Sequence, residues 1–196
     1  MRFRIFSSAL LSALSATAVA NSVYITPMIG LSNGVKFESD EGETYTTKSD
    51  LNYNLAVDVP FQQGRIGFVY SENKSELDSP QLDNTIRYLH FQSALYYPVA
   101  EKVSTYVGLG LGATQLSASW YEADYLFSAS AFGGVEYNVS KNIALQAQVR
   151  WFGSLLSKDT ASVCNYPNEE GGGCKLYFNG DWLSQVQGNL GVTFSF

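Results

Sequence analysis

The chain has 196 residues, of which 12 are basic and 18 acidic, for a formal net charge of −6. That balance argues against nucleic acid as a partner, since such binding is dominated by cationic contacts to phosphate. One histidine and two cysteines are too few ligands for a His-based zinc site, and no other cofactor is suggested. Aromatic residues make up 14% and charged residues only 15%, a composition that leans toward strand.

The first 20 residues read as a cleaved secretory signal. Arg2 and Arg4 precede a short apolar run that closes on Ala18-Val19-Ala20. The run is too short and too rich in Ser and Ala to span a membrane as a helix. The mature chain, 21–196, then reads as one domain with 10 basic residues against 18 acidic, a net charge near −8. No later stretch is long and apolar enough for a transmembrane helix.

The mature chain is dominated by a period of two. Leu51, Tyr53, Leu55, Val57, Val59 and Phe61 alternate with Asn52, Asn54, Ala56 and Asp58. Val103, Thr105, Val107, Leu109 and Leu111 alternate with Ser104, Tyr106, Gly108, Gly110 and Gly112. Ile143, Leu145, Ala147, Val149 and Trp151 oppose Ala144, Gln146, Gln148 and Arg150, and the chain ends on Val192, Phe194 and Phe196. Each run lasts about ten residues, which is a half-buried strand. The pattern predicts eight strands, near 22–33, 49–61, 64–73, 84–98, 103–117, 124–138, 142–157 and 182–196.

Short connections at 60–64, 98–102 and 138–142 recur about every 39 residues, and long acidic ones lie between them. Strict alternation puts all long loops at one end of the sheet and all short turns at the other. That is the layout of an antiparallel up-and-down transmembrane β-barrel, with a soluble eight-stranded barrel as the competing reading. Side-chain chemistry favours the membrane. The polar face carries Asn, Gln, Ser, Thr and Gly, where a soluble barrel would wear Lys and Glu. Aromatic residues gather in two belts, with Phe61, Tyr97 and Tyr137 at the short-turn side and Trp120, Trp151 and Trp182 toward the loops.

If the apolar face meets lipid, the other face fills the interior. Asp58, Arg65, Glu136 and Arg150 are then expected to form a hydrogen-bonded ionic plug, because buried charges are costly unless paired. The glycines at 108, 110 and 112 make room for bulky neighbours such as Tyr106 or Phe132. Pro27 costs a ladder bond and is tolerable at a rim or bulge. Cys164 and Cys174, in an exported chain, predict a disulfide across the longest loop.

In all of this the chain resembles the small Gram-negative outer-membrane proteins of the OmpA/OmpX type, in barrel-only form. The resemblance rests on the signal, the alternation, the loop asymmetry and the ending, in which Asn189, Gly191, Phe194 and Phe196 match the signal read by the barrel assembly machinery. It implies a monomer in the cell outer membrane, among membrane lipids and lipopolysaccharide, with no periplasmic domain after the barrel. It also implies a structural or surface-interaction role through the extracellular loops, toward a host or phage ligand.

Two other functions compete. A lipid A deacylase would place a serine two residues from its histidine on one strand. Here Gln92 holds that place after His90, and Ser93 falls on the opposite face, so a non-enzyme is expected. A narrow passive channel for small solutes is the other, and the filled interior expected of eight strands speaks against wide passage.

Overall fold

The computed structural model describes residues 22–33, 36–39, 44–46, 50–76, 83–118, 121–155, 162–164, 174–177 and 182–196. The signal segment, Trp120 and most of the acidic loop residues lie outside the described residues. The described strands are β1 Tyr24–Ser32, β2 Lys36–Ser39, β3 Thr44–Thr46, β4 Asp50–Phe61, β5 Gly64–Glu76, β6 Asp83–Ala100, β7 Val103–Ala118, β8 Tyr121–Asn138, β9 Ile143–Leu155, β10 Ser162–Cys164, β11 Cys174–Tyr177 and β12 Trp182–Ser195.

The eight long strands close into an antiparallel barrel in the order β1-β12-β9-β8-β7-β6-β5-β4. These are the eight runs of alternation, displaced at their ends by at most a few residues. The four short strands form a separate sheet, β10-β11-β2-β3, built from the connections β1–β4 and β9–β12. The alternation gave no sign of it, because strands of three or four residues carry too little pattern to separate from loop.

Barrel geometry follows from the register. The row of opposed residues Phe194, Ile25, Val57, Phe68, Phe91, Leu111, Ala129, Gly153 and Ser184 passes once around the barrel and returns to β12 ten residues away, 194 against 184. Eight strands with that stagger tilt by about 40° and leave an interior that side chains can fill. All these residues belong to the outward-facing set. The neighbouring row, Ser195, Tyr24, Asp58, Gly67, Gln92, Gly110, Ser130, Phe152 and Gln185, comes from the inward-facing positions.

Burial then separates the two faces by parity. In β9 the exposed residues Leu145, Ala147, Val149 and Trp151 alternate with the buried Gln146, Gln148, Arg150 and Phe152. Leu109 is 68% exposed and Leu190 67%, while Asn52, His90 and Gln187 are fully buried. A protein that exposes its leucines and buries its amides is inverted with respect to water, so its exterior belongs in hydrocarbon. Closure meets the other demand of that solvent, which is that every backbone group finds an internal partner.

The closing seam, β1 against β12, keeps one register but is interrupted. Pairing holds at Ile25↔Phe194 and resumes at Met28↔Gly191, stepping over Thr26 and Pro27. Pro27 has no N–H to donate. Inside the barrel, the hydroxyls of Thr26 and Thr193 meet at 3.0 Å across the gap, and Thr193 donates onward to Gln146 at 3.0 Å. Below it the ladder runs to the last residue: Val23 N–H donates to Phe196 O at 3.1 Å, and Phe196 N–H donates to Val23 O at 3.0 Å.

Candidate functional site

Two sets of polar residues invite a functional reading: those inside the barrel and those on its outer wall. Both are products of register, since each joins residues from three or more strands.

At the short-turn end, the Arg65 guanidinium donates to both oxygens of Glu136, at 2.8 and 2.7 Å. It lies between the rings of Tyr24 and Tyr96, 3.7 and 4.3 Å from their centroids. The sandwich closes that end of the cylinder with a charge-assisted pair and two cation–π contacts. One step up, Arg150 and Asp58 are joined through an amide. Arg150 Nη2 donates to Gln92 Oε1 at 2.6 Å, and Gln92 Nε2 donates to Asp58 Oδ1 at 2.9 Å. Arg150 also donates to Gln148 and Ser130, and its guanidinium lies 3.8 Å from the Phe132 ring centroid.

The four charged residues named from the sequence are therefore brought together, two acids and two bases whose formal charges cancel. They are not paired symmetrically: one pair is direct and the other is bridged by Gln92, whose place on β6 suggested only the lack of a serine. The glycine file serves this layer and the next. A Cβ at Gly108 would come within 2.4 Å of the Phe132 ring, and one at Gly112 within 2.8 Å of the His90 ring.

Above the ions, His90 is fully buried, with Nδ1 3.0 Å from Ser130 Oγ and Nε2 2.7 Å from Ser128 Oγ. Both serines come from β8, two strands away from β6. A search for a serine along His90's own strand misses them, because inward positions of different strands converge inside a narrow cylinder. A His–Ser contact is thus present, but it is sealed. Tyr88 stacks on Phe152 at 3.9 Å directly beside His90, and Ile86 and Leu183 complete the apolar layer. The cavity left among Asp58, Arg65, Gln92, Tyr96, Tyr106 and Gln146 is about 10 Å³, room for about one water.

Along the β1–β4–β12 wall, amides replace rings. Asn54 Nδ2 donates to Asn52 Oδ1 at 2.8 Å and to Asn189 Oδ1 at 3.0 Å, and Asn73 Nδ2 donates to Ser32 Oγ at 2.7 Å. Asn189, a residue of the expected assembly signal, thus also holds the interior together. Gly191 lies against Met28, where a Cβ would meet Met28 Cγ at 2.4 Å. Phe194 and Phe196 face outward.

The outer wall carries the expected rings where it is described. Phe61, Tyr97, Tyr137 and Phe196 are exposed at the short-turn end. Trp151 is exposed toward the loops, with its Nε1 donating to Ser184 Oγ at 2.7 Å and its ring covering Gly153. Trp182 begins β12 opposite Leu155. Higher on β5–β8 lies a polar row that strand alternation alone does not single out. Glu72, Arg87, Gln115 and Tyr125 stand directly opposite one another across four strands. Arg87 Nε donates to Glu72 Oε2 at 3.0 Å, Tyr70 OH donates to the same oxygen at 2.7 Å, and Lys74 Nζ lies 3.6 Å from Glu72 Oε1. Arg87 Nη1 reaches Gln115 Oε1 at 3.4 Å, and Gln115 Nε2 donates to the Tyr125 hydroxyl at 3.1 Å.

With closure, stagger and inverted burial in place, comparison with solved structures decides the fold. It is that of the small eight-stranded outer-membrane barrels. The chain is similar to Neisserial surface protein A, at 15% identity and a TM-score of 0.62 over 89% of this chain and 97% of that one. It is also similar to OprG from Pseudomonas aeruginosa, at 12% identity and a TM-score of 0.51 over 90% and 96%. The attachment invasion locus protein of Yersinia pestis, Ail, gives 17% identity and a TM-score of 0.50 over 90% and 99%. No protein-family model and no curated protein matches the chain. At these identities the likeness is one of fold.

Proposed function

We propose that this chain is an exported outer-membrane protein that acts at the cell surface, through its long connections, on a barrel that is itself a closed anchor. The observation that carries this reading is the second sheet. Strands Lys36–Ser39 and Thr44–Thr46 of one connection and Ser162–Cys164 and Cys174–Tyr177 of another, far apart in sequence, are joined as β10-β11-β2-β3. Loops that only bridge strands gain nothing from a shared sheet, whereas loops that present a surface gain a defined shape. Ail, named for attachment and invasion, has the same fold. Export through a cleaved signal over residues 1–20, and assembly through Asn189, Gly191, Phe194 and Phe196, belong to this reading, as does contact with outer-membrane lipid.

A disulfide fits the same sheet. Cys164 and Cys174 are register partners in β10 and β11. Opposed residues of an antiparallel pair lie about 4.5–5.5 Å apart at Cα, inside the disulfide range. The bond would fasten the outer hairpin of the sheet. The interior speaks against the alternatives. Bridged charges and stacked rings occupy the interior where a solute would pass, and a histidine buried beside Tyr88 and Phe152 offers a lipid no access.

The test is to replace residues 36–46 and 162–177 with short Gly-Ser connections and display both proteins on cells lacking other adhesins. Attachment to cultured host cells and matrix-coated surfaces is expected to fall to background in the loop variant, while its heat-modifiable migration persists. Equal attachment by both proteins, or by neither, would sink the surface reading.

A further inference from the structure

We propose that the outer wall of β5 and β6 is a self-complementary face through which two copies of this chain pair in the membrane, related by a two-fold axis along the membrane normal. The family resemblance implies a monomer, so this pairing goes beyond it. The inference rests only on the barrel's place in a bilayer and is independent of what the loops bind.

The first observation is where outward charge falls. Among the outward-facing barrel-strand residues whose side chains are described, Glu72, Lys74 and Arg87 are the charged ones, and all three lie toward the loop end of β5 and β6. The register pair Glu76↔Asp83 adds two acids at outward positions further toward the loops. Two bases against three acids leave the face nearly neutral in sum, so net charge does not distinguish it. Order does. Glu72 and Arg87 stand side by side, an acid on one side of the β5–β6 seam and a base on the other, 3.0 Å apart.

The second observation is geometry. One circuit of the barrel brings a row of opposed residues ten positions nearer the loops on β12, 194 against 184. The row Tyr53, Glu72, Arg87, Gln115 and Tyr125 therefore climbs from β4 to β8. At a tilt of about 40° each strand adds about 3 Å of height. A two-fold axis along the normal, at the β5–β6 seam, keeps height and exchanges left for right. Each Glu72 then faces the partner's Arg87, about 3 Å away in height, which two long side chains span. The same operation sets Lys74 toward the partner's Gln115, Tyr53 toward the partner's Leu89 and Tyr70 toward the partner's Leu55. An isologous contact requires this kind of match, in which one residue meets a second and the second meets the first. The acids at 76 and 83 do not spoil it. Strand tilt carries their positions about 7–10 Å to one side of the axis and those of the other copy to the opposite side, where the two cylinders curve apart.

The third observation is spare capacity. Glu72 Oε2 accepts from Arg87 and Tyr70, whereas Oε1 faces only Lys74, at 3.6 Å, among the described residues. The side chains of Arg87 and Lys74 stay 38% and 71% exposed. A guanidinium from a second copy thus finds a carboxylate oxygen with room to accept. The resulting charge-assisted bond forms at the edge of hydrocarbon, where it is worth more than in water. Toward the short turns the contact is made by the exposed Leu55, Tyr70 and Leu89, so closing it strands no polar group.

The experiment uses the full folded chain in phosphatidylcholine vesicles, with donor or acceptor dyes on a short tag ahead of Asn21. Energy transfer is followed as the barrels are diluted with lipid. The unaltered chain is expected to hold transfer well above the level of randomly placed barrels. Glu72→Arg or Arg87→Glu alone puts like charges face to face and should lower the association constant by at least about tenfold. Mixing the two reversed chains should restore it, an outcome that damage to either barrel cannot produce. Leu89→Trp, which sets bulk against the partner's Tyr53 without changing charge, should also lower it, and Leu190→Ala on β12 should not. Heat-modifiable migration confirms that each variant is folded. The Gly-Ser loop variant should pair as fully as the unaltered chain, which separates this test from that of attachment. Transfer at the random level in the unaltered chain, no gain on mixing the reversed chains, or loss of transfer with the loops would overturn the proposal.

Discussion

At the scale of single residues, the interior is held by charges that tolerate no vacancy. Arg65 and Glu136 form a bidentate pair with little solvent on either side, their side chains 13% and 3% exposed. Removing one partner leaves the other buried and uncompensated, which typically costs about 3–5 kcal/mol, whereas an apolar replacement of both is often neutral. Glu136→Gln should therefore destabilise the barrel by about 3 kcal/mol in reversible urea unfolding from bilayers. Adding Arg65→Met should recover most of that loss. A cost below about 1 kcal/mol for Glu136→Gln would show that solvent reaches the pair and that the end is not sealed. The residue types of this layer were legible in the sequence, since charges on the lipid-averse face of a barrel have nowhere to go but inward. Their partners were not. Gln92, Ser128 and Ser130 reach their places through a stagger that no single strand encodes.

At the scale of elements, the short connections are where local geometry meets sequence choice. Phe61 pairs with Gly64, so Gln62 and Gln63 form a two-residue hairpin, and Gln62 has φ of 52°. Among the described residues it is the one non-glycine in the left-handed region, at a cost of about 1 kcal/mol for an ordinary L-residue. Asn tolerates that conformation better. Gln62→Asn is expected to stabilise the barrel by about 0.5 kcal/mol in the same unfolding assay, with Gln62→Gly at least as effective. Loss of stability in both would mean that the Gln62 side chain makes a contact worth more than the strain. The eight long strands were readable because a hydrocarbon exterior and a polar filling enforce alternation over ten or more residues. β2, β3, β10 and β11 were not, because strands such as Thr44–Thr46 are stabilised by partners from a distant connection rather than by their own pattern.

At the scale of the whole molecule, the question is whether this cylinder conducts. Its length is divided into layers of different chemistry: the Arg65 sandwich, the Arg150–Gln92–Asp58 bridge, His90 with its serines, then the Tyr88–Phe152 stack with Ile86 and Leu183. Adjacent layers share contacts, since Ser130 meets both Arg150 and His90, so a path requires several coupled rearrangements at once. Each would break charged hydrogen bonds in a low-dielectric interior or separate stacked rings. The stagger of ten residues sets the cylinder's width, and no loop movement alters it, since the backbone ladder is closed on all sides. The full chain in planar bilayers should therefore show no long-lived open level, and proteoliposomes should not swell in small sugars faster than protein-free vesicles. Arg65→Ala, which opens only the lowest layer, should leave both results unchanged. Steady conductance in the unaltered chain would mean that the plug moves as a unit, and the barrel would then have to be read as a pore. Conductance that appears only on Arg65→Ala would instead assign the whole seal to the sandwich at the short-turn end.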